Sequence, residues 1–360
     1  MHLLVLTSIC LLVSAPFLNA DPSNLHPALS VQDRIKDIFT SSKDCVVRVK
    51  ATRKDTLEDK TNRVLKMGSG FFVSKEGHVL TTGLLRNADQ IWIEHSKSFY
   101  LAQLIGHDYL CNVSLLKVVE SKKEFPFLSI SNQSENLSPG SILVGLTCAL
   151  EFEVGPTFGL LQSKEISFGT NMFPTKMIRS SVPLGPGEIG APIFNLNGNF
   201  VGIAHAALSD LGSSFILPAD ACLRIRDGLL LSGNVEYGWF GVTVSRKLNP
   251  SNSFDIVVEG TVDGSPASKS SLKKGDIILE IASIKVDDRG DLAHAAFFAS
   301  PGTVVEFLVR RDDKQVIVPI KVEKRSVLMK EEESQVAEVD GAIPEPDPGI
   351  SENTAKPNLP

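Results

Sequence analysis

Cysteine is scarce in this sequence, and its distribution excludes several kinds of site. Only five of the 360 residues are cysteines, and their wide spacings match no C-x-x-C pattern of a zinc or redox site. One lies in an N-terminal apolar run, which leaves Cys45, Cys111, Cys148 and Cys222. The spacings therefore predict no metal site. Buried free thiols and a single disulfide both remain open, and the sequence assigns no pairing.

Two further features are missing: a stripe of basic residues and a membrane-spanning run. The 36 Lys and Arg residues against 42 Asp and Glu residues give a net charge of −6, spread along the chain, which argues against a nucleic-acid partner. The apolar run Leu3–Val13 is too short to cross a bilayer. Because small and turn-forming residues follow it, we interpret residues 1–20 as a signal peptide cleaved after Ala20, with an uncleaved anchor as the alternative. The sequence thus predicts an exported protein.

Helical periodicity is rare, whereas short strand-like runs bounded by turn-forming residues recur through the first two thirds of the chain. The runs predicted as strands are 45–51, 68–74, 78–82, 90–95, 113–118, 141–147 and 199–205. Many strands with almost no intervening helix indicate an all-β sandwich or a pair of barrels rather than βαβ units. Two helices flank them: one capped by Ser30, and one over 218–231 with Gly233 at its C-terminal cap.

A second module follows the strand-rich region, and an acidic segment follows that module. Residues 236–324 combine strand-like runs with one short helix around Asp291–Phe298. Beyond Lys330 there are eight carboxylates, one lysine and five prolines. Such a segment buries little apolar surface, so residues 330–360 are predicted to be a disordered acidic tail.

Six motifs follow one another in an order that is specific when they are taken together. They are GSGFFVSKEGHVLTT, GHDYLCNVSLLKV, MIRSSVPLGPGEIGAPIFNLNGNFVGI, SSFILPAD, GNVEYGWFGV and GSPASKSSLKKGDIILEI. In this order they resemble the HtrA/DegP family of exported trypsin-like proteases that carry a PDZ domain. The resemblance implies a mainly β fold, with a trypsin-like double β-barrel over 30–232 and an α+β PDZ domain over 236–324.

The same resemblance locates three catalytic positions, and each is replaced in this chain. The family's serine falls at Ile189, its histidine at Leu84 and its aspartate at Asn112. The chemistry needs a hydroxyl nucleophile, an imidazole that takes its proton and a carboxylate that orients the imidazole. Loss of the serine or histidine from such a triad costs roughly a million-fold in turnover. The remnant of the oxyanion loop, Gly187 and Glu188, places a carboxylate where a negative charge would develop.

Other residues of the first domain leave an unorthodox catalytic centre open as an alternative. Its histidines are His78, His95, His107 and His205. Ser180 and Ser181 precede the loop that contains Ile189, and Cys111 adjoins Asn112. No motif places an imidazole beside these hydroxyls or this thiol, so core or surface roles are favoured for them.

The PDZ-like module keeps more of the features that the family uses for recognition. By resemblance, Trp239, Phe240, Gly241 and Val242 form the loop and strand start that bind a peptide's terminal carboxylate and pair with the peptide. Gly241 is expected to allow close approach of the backbone, and Phe240 and Val242 to line an apolar pocket. The helix 290–298 is expected to form the other wall of the groove and to present His294 and Phe297 to it. Ordinary core packing is the alternative for these side chains.

These observations predict a catalytically inactive HtrA-like protein of the periplasm or cell envelope. Its expected partners are peptide or protein C-termini and unfolded polypeptides, and its expected role is that of a scaffold, a holdase or a modulator of envelope proteolysis. The resemblance implies a trimer or co-assembly with active relatives, and no metal or other cofactor. The alternatives are an active serine endopeptidase with an unorthodox centre and a structural envelope protein.

Overall fold

The computed structural model describes residues 27–57, 60–83, 87–119, 123–131, 137–169 and 171–325. The predicted signal peptide, Leu84 and the predicted acidic tail lie outside these residues. Within them, no helix has both the length and the apolar character that a membrane span requires.

Helix α1 and the first six strands form the N-terminal part of the molecule. Their bounds are α1 (Pro27–Ser42), β1 (Val46–Leu57), β2 (Lys60–Phe72), β3 (His78–Thr82), β4 (Gln90–His95), β5 (Ser98–Asp108) and β6 (Val113–Val118). The strands close an antiparallel barrel in the order β1-β2-β3-β6-β5-β4. Along β4, Ile91, Ile93 and His95 are buried and alternate with more exposed residues, as expected when successive side chains point to opposite faces of a sheet.

The next six strands close a second antiparallel barrel. Their bounds are β7 (Ile142–Thr147), β8 (Gly155–Phe168), β9 (Asn171–Ser180), β10 (Pro192–Asn195), β11 (Phe200–Leu208) and β12 (Ser213–Pro218). The order around this barrel is β10-β11-β12-β9-β8-β7. Helix α2 (Ala219–Ser232) follows and buries Ala221, Cys222, Ile225 and Leu229 on one face. Two six-stranded antiparallel barrels are the trypsin-like fold that the motifs implied.

The C-terminal part has the α+β composition expected of a PDZ domain. Its elements are β13 (Gly238–Trp239), β14 (Val242–Leu248), β15 (Phe254–Thr261), β16 (Ile277–Ile281), β17 (Ile284–Lys285), α3 (Gly290–Phe298), β18 (Val304–Arg311), β19 (Lys314–Lys321) and β20 (Glu323–Lys324). The main sheet has the order β14-β15-β16-β18-β19, β17 pairs with β16, and β13 pairs with β20. Its core is a separate apolar cluster that includes Phe240, Val258 and Phe307.

Two residues of the C-terminal part belong to the core of the barrels instead. Tyr237 and Phe297 are buried in the cluster that contains side chains from both barrels and from α2. Their rings pack against each other with centroids 4.9 Å apart. The PDZ domain is therefore joined to the barrels by apolar packing as well as by the chain.

The structure corrects one detail of the sequence interpretation, confirms a second and extends a third. Helix α1 begins at Pro27, so Ser30 lies in its first turn and not at the cap; proline suits the first helical position because its missing N–H would be unpaired there. Helix α2 ends as predicted, with Gly233 at its C-cap. Five strands, β5, β8, β9, β10 and β12, lie outside the predicted runs.

Candidate functional site

Ile189 and Asn112, which correspond to the family's serine and aspartate, both lie next to Gly83. The Gly83 amide donates a hydrogen bond to the Asn112 carbonyl oxygen at 3.2 Å. A methyl group on Gly83 would lie 3.5 Å from Cγ2 of Ile189. Leu84 follows Gly83 directly in the sequence but lies outside the described residues. The fold thus brings Asn112 and Ile189 together at the end of β3, where the resemblance also puts the missing histidine.

Neither of these two side chains provides catalytic chemistry. Ile189 is half-buried and packs against the apolar core of the second barrel. Asn112 is exposed and adopts φ of +50° in the turn between β5 and β6. An alkyl group cannot transfer a proton, and a neutral amide cannot stabilise an imidazolium as a carboxylate does.

The loop before Ile189 keeps a tightly held backbone. The Ser69 hydroxyl on β2 donates to the Gly187 carbonyl at 2.8 Å and accepts from the Cys148 amide at 3.0 Å. The Ser69 amide donates to the Ile189 carbonyl at 2.8 Å. Gly187 has φ of +84°, and a Cβ there would lie 2.6 Å from the Leu150 nitrogen, so only glycine fits. Ser69 belongs to the GSG motif, but no pattern in the sequence indicates that its hydroxyl bridges two segments.

Glu188 is held by two partners on its own side of the loop. Its Oε1 accepts a hydrogen bond from the Thr147 hydroxyl at 2.7 Å, and its Oε2 accepts from the Gly185 amide. Neither bond involves the amides of Gly187 or Ile189. The carboxylate nevertheless remains one residue from each of those amides, and its negative charge opposes an oxyanion in this loop.

Among the described residues, four hydroxyl groups on the segments that adjoin the Ile189 loop donate to oxygen acceptors. Their bonds are Ser69 Oγ to Gly187 O, Thr81 Oγ1 to Ser69 O at 2.7 Å, Thr82 Oγ1 to Ala204 O at 3.2 Å, and Thr147 Oγ1 to Glu188 Oε1. Each hydroxyl donates its proton to a carbonyl or carboxylate rather than to an imidazole. A hydroxyl becomes a nucleophile only when a base accepts its proton.

Three histidines of the first barrel form hydrogen bonds elsewhere. His78 Nδ1 lies 2.7 Å from the Ser74 hydroxyl at the β2–β3 turn, and His95 Nε2 lies 2.8 Å from the Asp44 carbonyl. His107 Nδ1 lies 2.8 Å from the hydroxyl of Ser114, which is fully buried and closed to a substrate. These pairs are consistent with structural roles.

His205 is next in sequence to a residue that contacts the Ile189 loop. It follows Ala204, whose carbonyl accepts from the Thr82 hydroxyl and from the Gly190 amide. Its Nδ1 is buried without a hydrogen-bond partner among the described residues. Burial lowers the pKa of His205 to about 4. This imidazole is therefore neutral at neutral pH and is not bonded to a nucleophile.

The four cysteines of the described region are free and buried. Burial raises the pKa of Cys45 and of Cys148 to about 11. Burial also raises the pKa of Cys111 and Cys222, and the nearby Asp108 carboxyl adds to the effect at Cys111. A thiol that stays protonated is a poor nucleophile, so burial disfavours nucleophilic chemistry at Cys111.

The predicted carboxylate-binding loop lies between β13 and β14. Phe240 is buried, and its ring meets Phe307 edge-on at 5.0 Å, which places it in the PDZ core. Gly241 has φ of +72°, and a Cβ there would lie 2.2 Å from Cβ of Ser265. Trp239 and Val242 are half-buried on the two sides of this turn. Gly241 is thus required by the packing of Ser265, whether or not a peptide approaches it.

Strand β14 offers the edge that peptide addition requires. In the main PDZ sheet it is the terminal strand and pairs only with β15. An edge strand has unpaired backbone groups that can accept another strand.

The two side chains of α3 that were expected at the peptide groove contact the barrels instead. Phe297 is buried in the core that contains side chains from both barrels. Nδ1 of His294 is 2.7 Å from the Thr175 hydroxyl and 3.4 Å from the Lys176 nitrogen, both on β9 of the second barrel. The sequence could not reveal this position, because it depends on how the two domains pack.

Comparisons with known proteins agree with this architecture. The trypsin-like peptidase domain family matches residues 68–203, and the PDZ domain family matches residues 237–322. A probable periplasmic serine endoprotease DegP-like of Pseudomonas fulva is 30% identical over 269 residues, which cover 71% of this chain and 55% of the relative. A protein of the same description from Hahella chejuensis is 30% identical over 268 residues, covering 71% and 56%. The chain belongs to the HtrA/DegP-like family.

Solved HtrA structures share this fold over most of the chain. An HtrA-type protease AlgW with decapeptide has a TM-score of 0.64 at 22% identity, covering 81% of this chain and 99% of that protein. A serine endoprotease from Yersinia pestis has a TM-score of 0.57 at 20% identity, covering 81% and 98%. This HtrA/DegP-like chain spans only about half the length of the two curated relatives it matches.

Proposed function

We propose that this HtrA/DegP-like chain is a pseudoprotease that binds peptide or protein C-termini through its PDZ domain. The observation that supports the loss of protease activity is that Ile189 and Asn112 both adjoin Gly83. These two positions correspond to the family's serine and aspartate, and their side chains provide no hydroxyl and no carboxylate. The hydroxyls near Ile189 donate to carbonyl and carboxylate oxygens, and the thiol of Cys111 stays protonated. Each of these findings supports the loss of hydrolysis.

Peptide binding is supported by the free edge of β14 and by the adjoining loop Trp239–Val242. A solved structure of the HtrA-type protease AlgW contains a decapeptide, which supports the same class of ligand here. Addition of an extended peptide to a sheet edge supplies main-chain hydrogen bonds, and a loop of backbone amides captures the terminal carboxylate. A scaffold, a holdase or a modulator of proteolysis would each use such a site.

The relatives also support proposals for the cellular location and the oligomeric state of this chain. The curated relatives are described as periplasmic, which supports export of this chain to the periplasm or cell envelope. A trimer, or co-assembly with active relatives, remains the expected assembly. Light scattering of the purified chain, alone and mixed with an active relative, measures both.

The test of inactivity is labelling with a fluorophosphonate probe together with casein turnover. The purified chain is expected to remain unlabelled and to leave casein intact, while trypsin under the same conditions reacts in both assays. The variant Ile189→Ser is also expected to remain unlabelled, because no described imidazole is bonded at that position. Specific labelling of the unmodified chain would favour the active endopeptidase instead.

The test of peptide binding uses the full chain and a library of C-terminal peptides. We expect selected peptides to lose most of their affinity when the terminal carboxylate is converted to an amide, since the predicted loop binds that group. Binding that survives amidation would reject this mode. A library that yields no binder would favour a structural role for the PDZ domain.

A further inference from the structure

Helix α3 of the PDZ domain is docked onto the hairpin of β8 and β9 in the second barrel. Gly290 lies so close to Ile166 that a Cβ on it would stand 1.7 Å from Cγ2 of Ile166. On the same helix, Phe297 is buried in the core shared with the barrels, and Phe298 packs against that core. The docking face therefore has a close apolar fit.

A histidine hydrogen bond lies within this contact. Nδ1 of His294 accepts from the Lys176 amide at 3.4 Å and lies 2.7 Å from the Thr175 hydroxyl. Because an amide can only donate, Nδ1 must be the unprotonated nitrogen. The contact with the Lys176 amide therefore favours neutral His294. A proton on Nδ1 would keep the Thr175 hydroxyl as an acceptor but would lose the Lys176 bond, and the ring would carry a charge in a half-buried contact.

Charged groups from four elements face His294. Lys176 on β9 forms an ion pair with Asp291 on α3 at 2.8 Å, and the Asp291 side chain is only 3% exposed. Asp220 on α2 and Lys164 on β8 complete the set. Burial, and then the Lys176 ammonium, lower the pKa of His294, while Asp220 and Asp291 oppose the shift without cancelling it.

We propose that neutral His294 latches the PDZ domain onto the second barrel and that acidification releases it. The direction follows from linkage. Undocked His294 is expected to titrate near its ordinary value of about 6.5, and the docked residue titrates lower. Protons therefore bind the undocked state more tightly, so docking is favoured above that value and weakens as the pH falls below it. The inference concerns domain docking and does not depend on the proposed peptide binding.

Amide hydrogen exchange on the full chain at pH 7.5 and pH 5.5, corrected for intrinsic rates, tests the latch. In the unmodified chain, α3 and β9 are expected to lose protection at pH 5.5 by at least about threefold, whereas β6 of the first barrel keeps its protection. The matched variant is His294→Gln, whose side-chain oxygen can accept the same hydrogen bonds but does not titrate. It should show equal protection at both pH values.

A second variant separates the latch from general acid sensitivity. Thr175→Val removes a hydroxyl partner of His294 without changing any charge, so α3 should be less protected at both pH values. Unchanged protection of α3 and β9 in the unmodified chain between pH 7.5 and pH 5.5 overturns the proposal. Loss of protection in His294→Gln equal to that of the unmodified chain also overturns it, because the titrating group would then lie elsewhere.

Discussion

At the scale of single residues, Gly241 shows how the absence of a Cβ allows the tight packing of a loop in the PDZ domain. Its φ is +72°, and any side chain would meet Ser265 at 2.2 Å. We predict that Gly241→Ala lowers the free energy of unfolding of the PDZ domain by about 2–3 kcal/mol, through backbone strain and the clash. Urea unfolding of the full chain measures this value.

Gly260→Ala is the matched control for that substitution. No atom lies within 4 Å of a Cβ built on Gly260, so its change should stay within about 0.5 kcal/mol. Equal effects of the two variants would contradict the role assigned to Ser265. A peptide-binding loss in Gly241→Ala would then need another explanation than damage to the fold.

The buried His205 leads to a separate prediction, which concerns the pH dependence of the free energy of unfolding. Its folded-state pKa is about 4, below the ordinary histidine value of about 6.5. The unfolded chain therefore takes up a proton first, so the contribution of neutral His205 is complete above that ordinary value and is lost as the pH falls toward 4. The pKa difference corresponds to about 3 kcal/mol.

The measurement is urea unfolding at pH 7 and pH 4.5. His205→Leu should lose less stability between these two values than the unmodified chain does, because leucine does not titrate. His78, His95 and His294 also have lowered pKa values. Because both proteins contain them, their contribution to the pH dependence cancels in the comparison. Parallel pH profiles for the two proteins would show that His205 is not responsible.

At the scale of strands and loops, most of the barrels could be predicted from sequence, but some strands could not. Strand β4 alternates buried and exposed residues, and this period of two identified it. Strand β5 exposes Phe99, Leu101 and Leu104, so apolar residues lie on its outer side and hide the alternation. The strand period is visible in a sequence when the outward-facing residues are polar, and three outward-facing residues of β5 are apolar.

The candidate site was predictable as positions but not as contacts. Ile189 and Asn112 were located by motif, and the structure brings both to Gly83. The hydrogen bonds of the nearby hydroxyls were not predictable, because the partners of Ser69, Thr82 and Thr147 lie on segments that are distant in the sequence. A motif gives the residue type at a position, whereas the fold decides which oxygen lies opposite.

Ser69 supports a prediction at this scale, since its hydroxyl joins β2 to the Gly187 loop and to the segment after β7. Ser69→Ala removes the donor to Gly187 O and the acceptor for the Cys148 amide in a fully buried place. The loss should be about 2–3 kcal/mol, because two buried backbone groups lose a partner. Ser232→Ala, at an exposed hydroxyl, should change stability by at most about 0.5 kcal/mol in the same unfolding assay. Similar values for both variants would refute the bridging role.

At the scale of the whole molecule, the two domains are joined by packing that no local sequence pattern predicts. The helix that contains His294 was expected to face a peptide groove, and its position on β9 follows only from the docked arrangement. Periodicity identifies which residues of a helix are apolar, but Phe297 faces the barrels and Ala295 the PDZ core on the same short helix. The sequence of α3 does not show that its apolar residues are divided between the core of the barrels and the core of the PDZ domain.

Phe297 makes the joint between the domains testable. Because Tyr237 and Phe297 lie in the core of the barrels, the unmodified chain should melt in one calorimetric transition. Phe297→Ala is expected to cost about 3–5 kcal/mol and to split the melt into two, since it removes a large apolar side chain from the packing between the domains. Ile320→Ala, buried in the separate PDZ core, should lower the temperature of a single transition without dividing it. One undivided transition in Phe297→Ala would show that the two domains are coupled by other contacts.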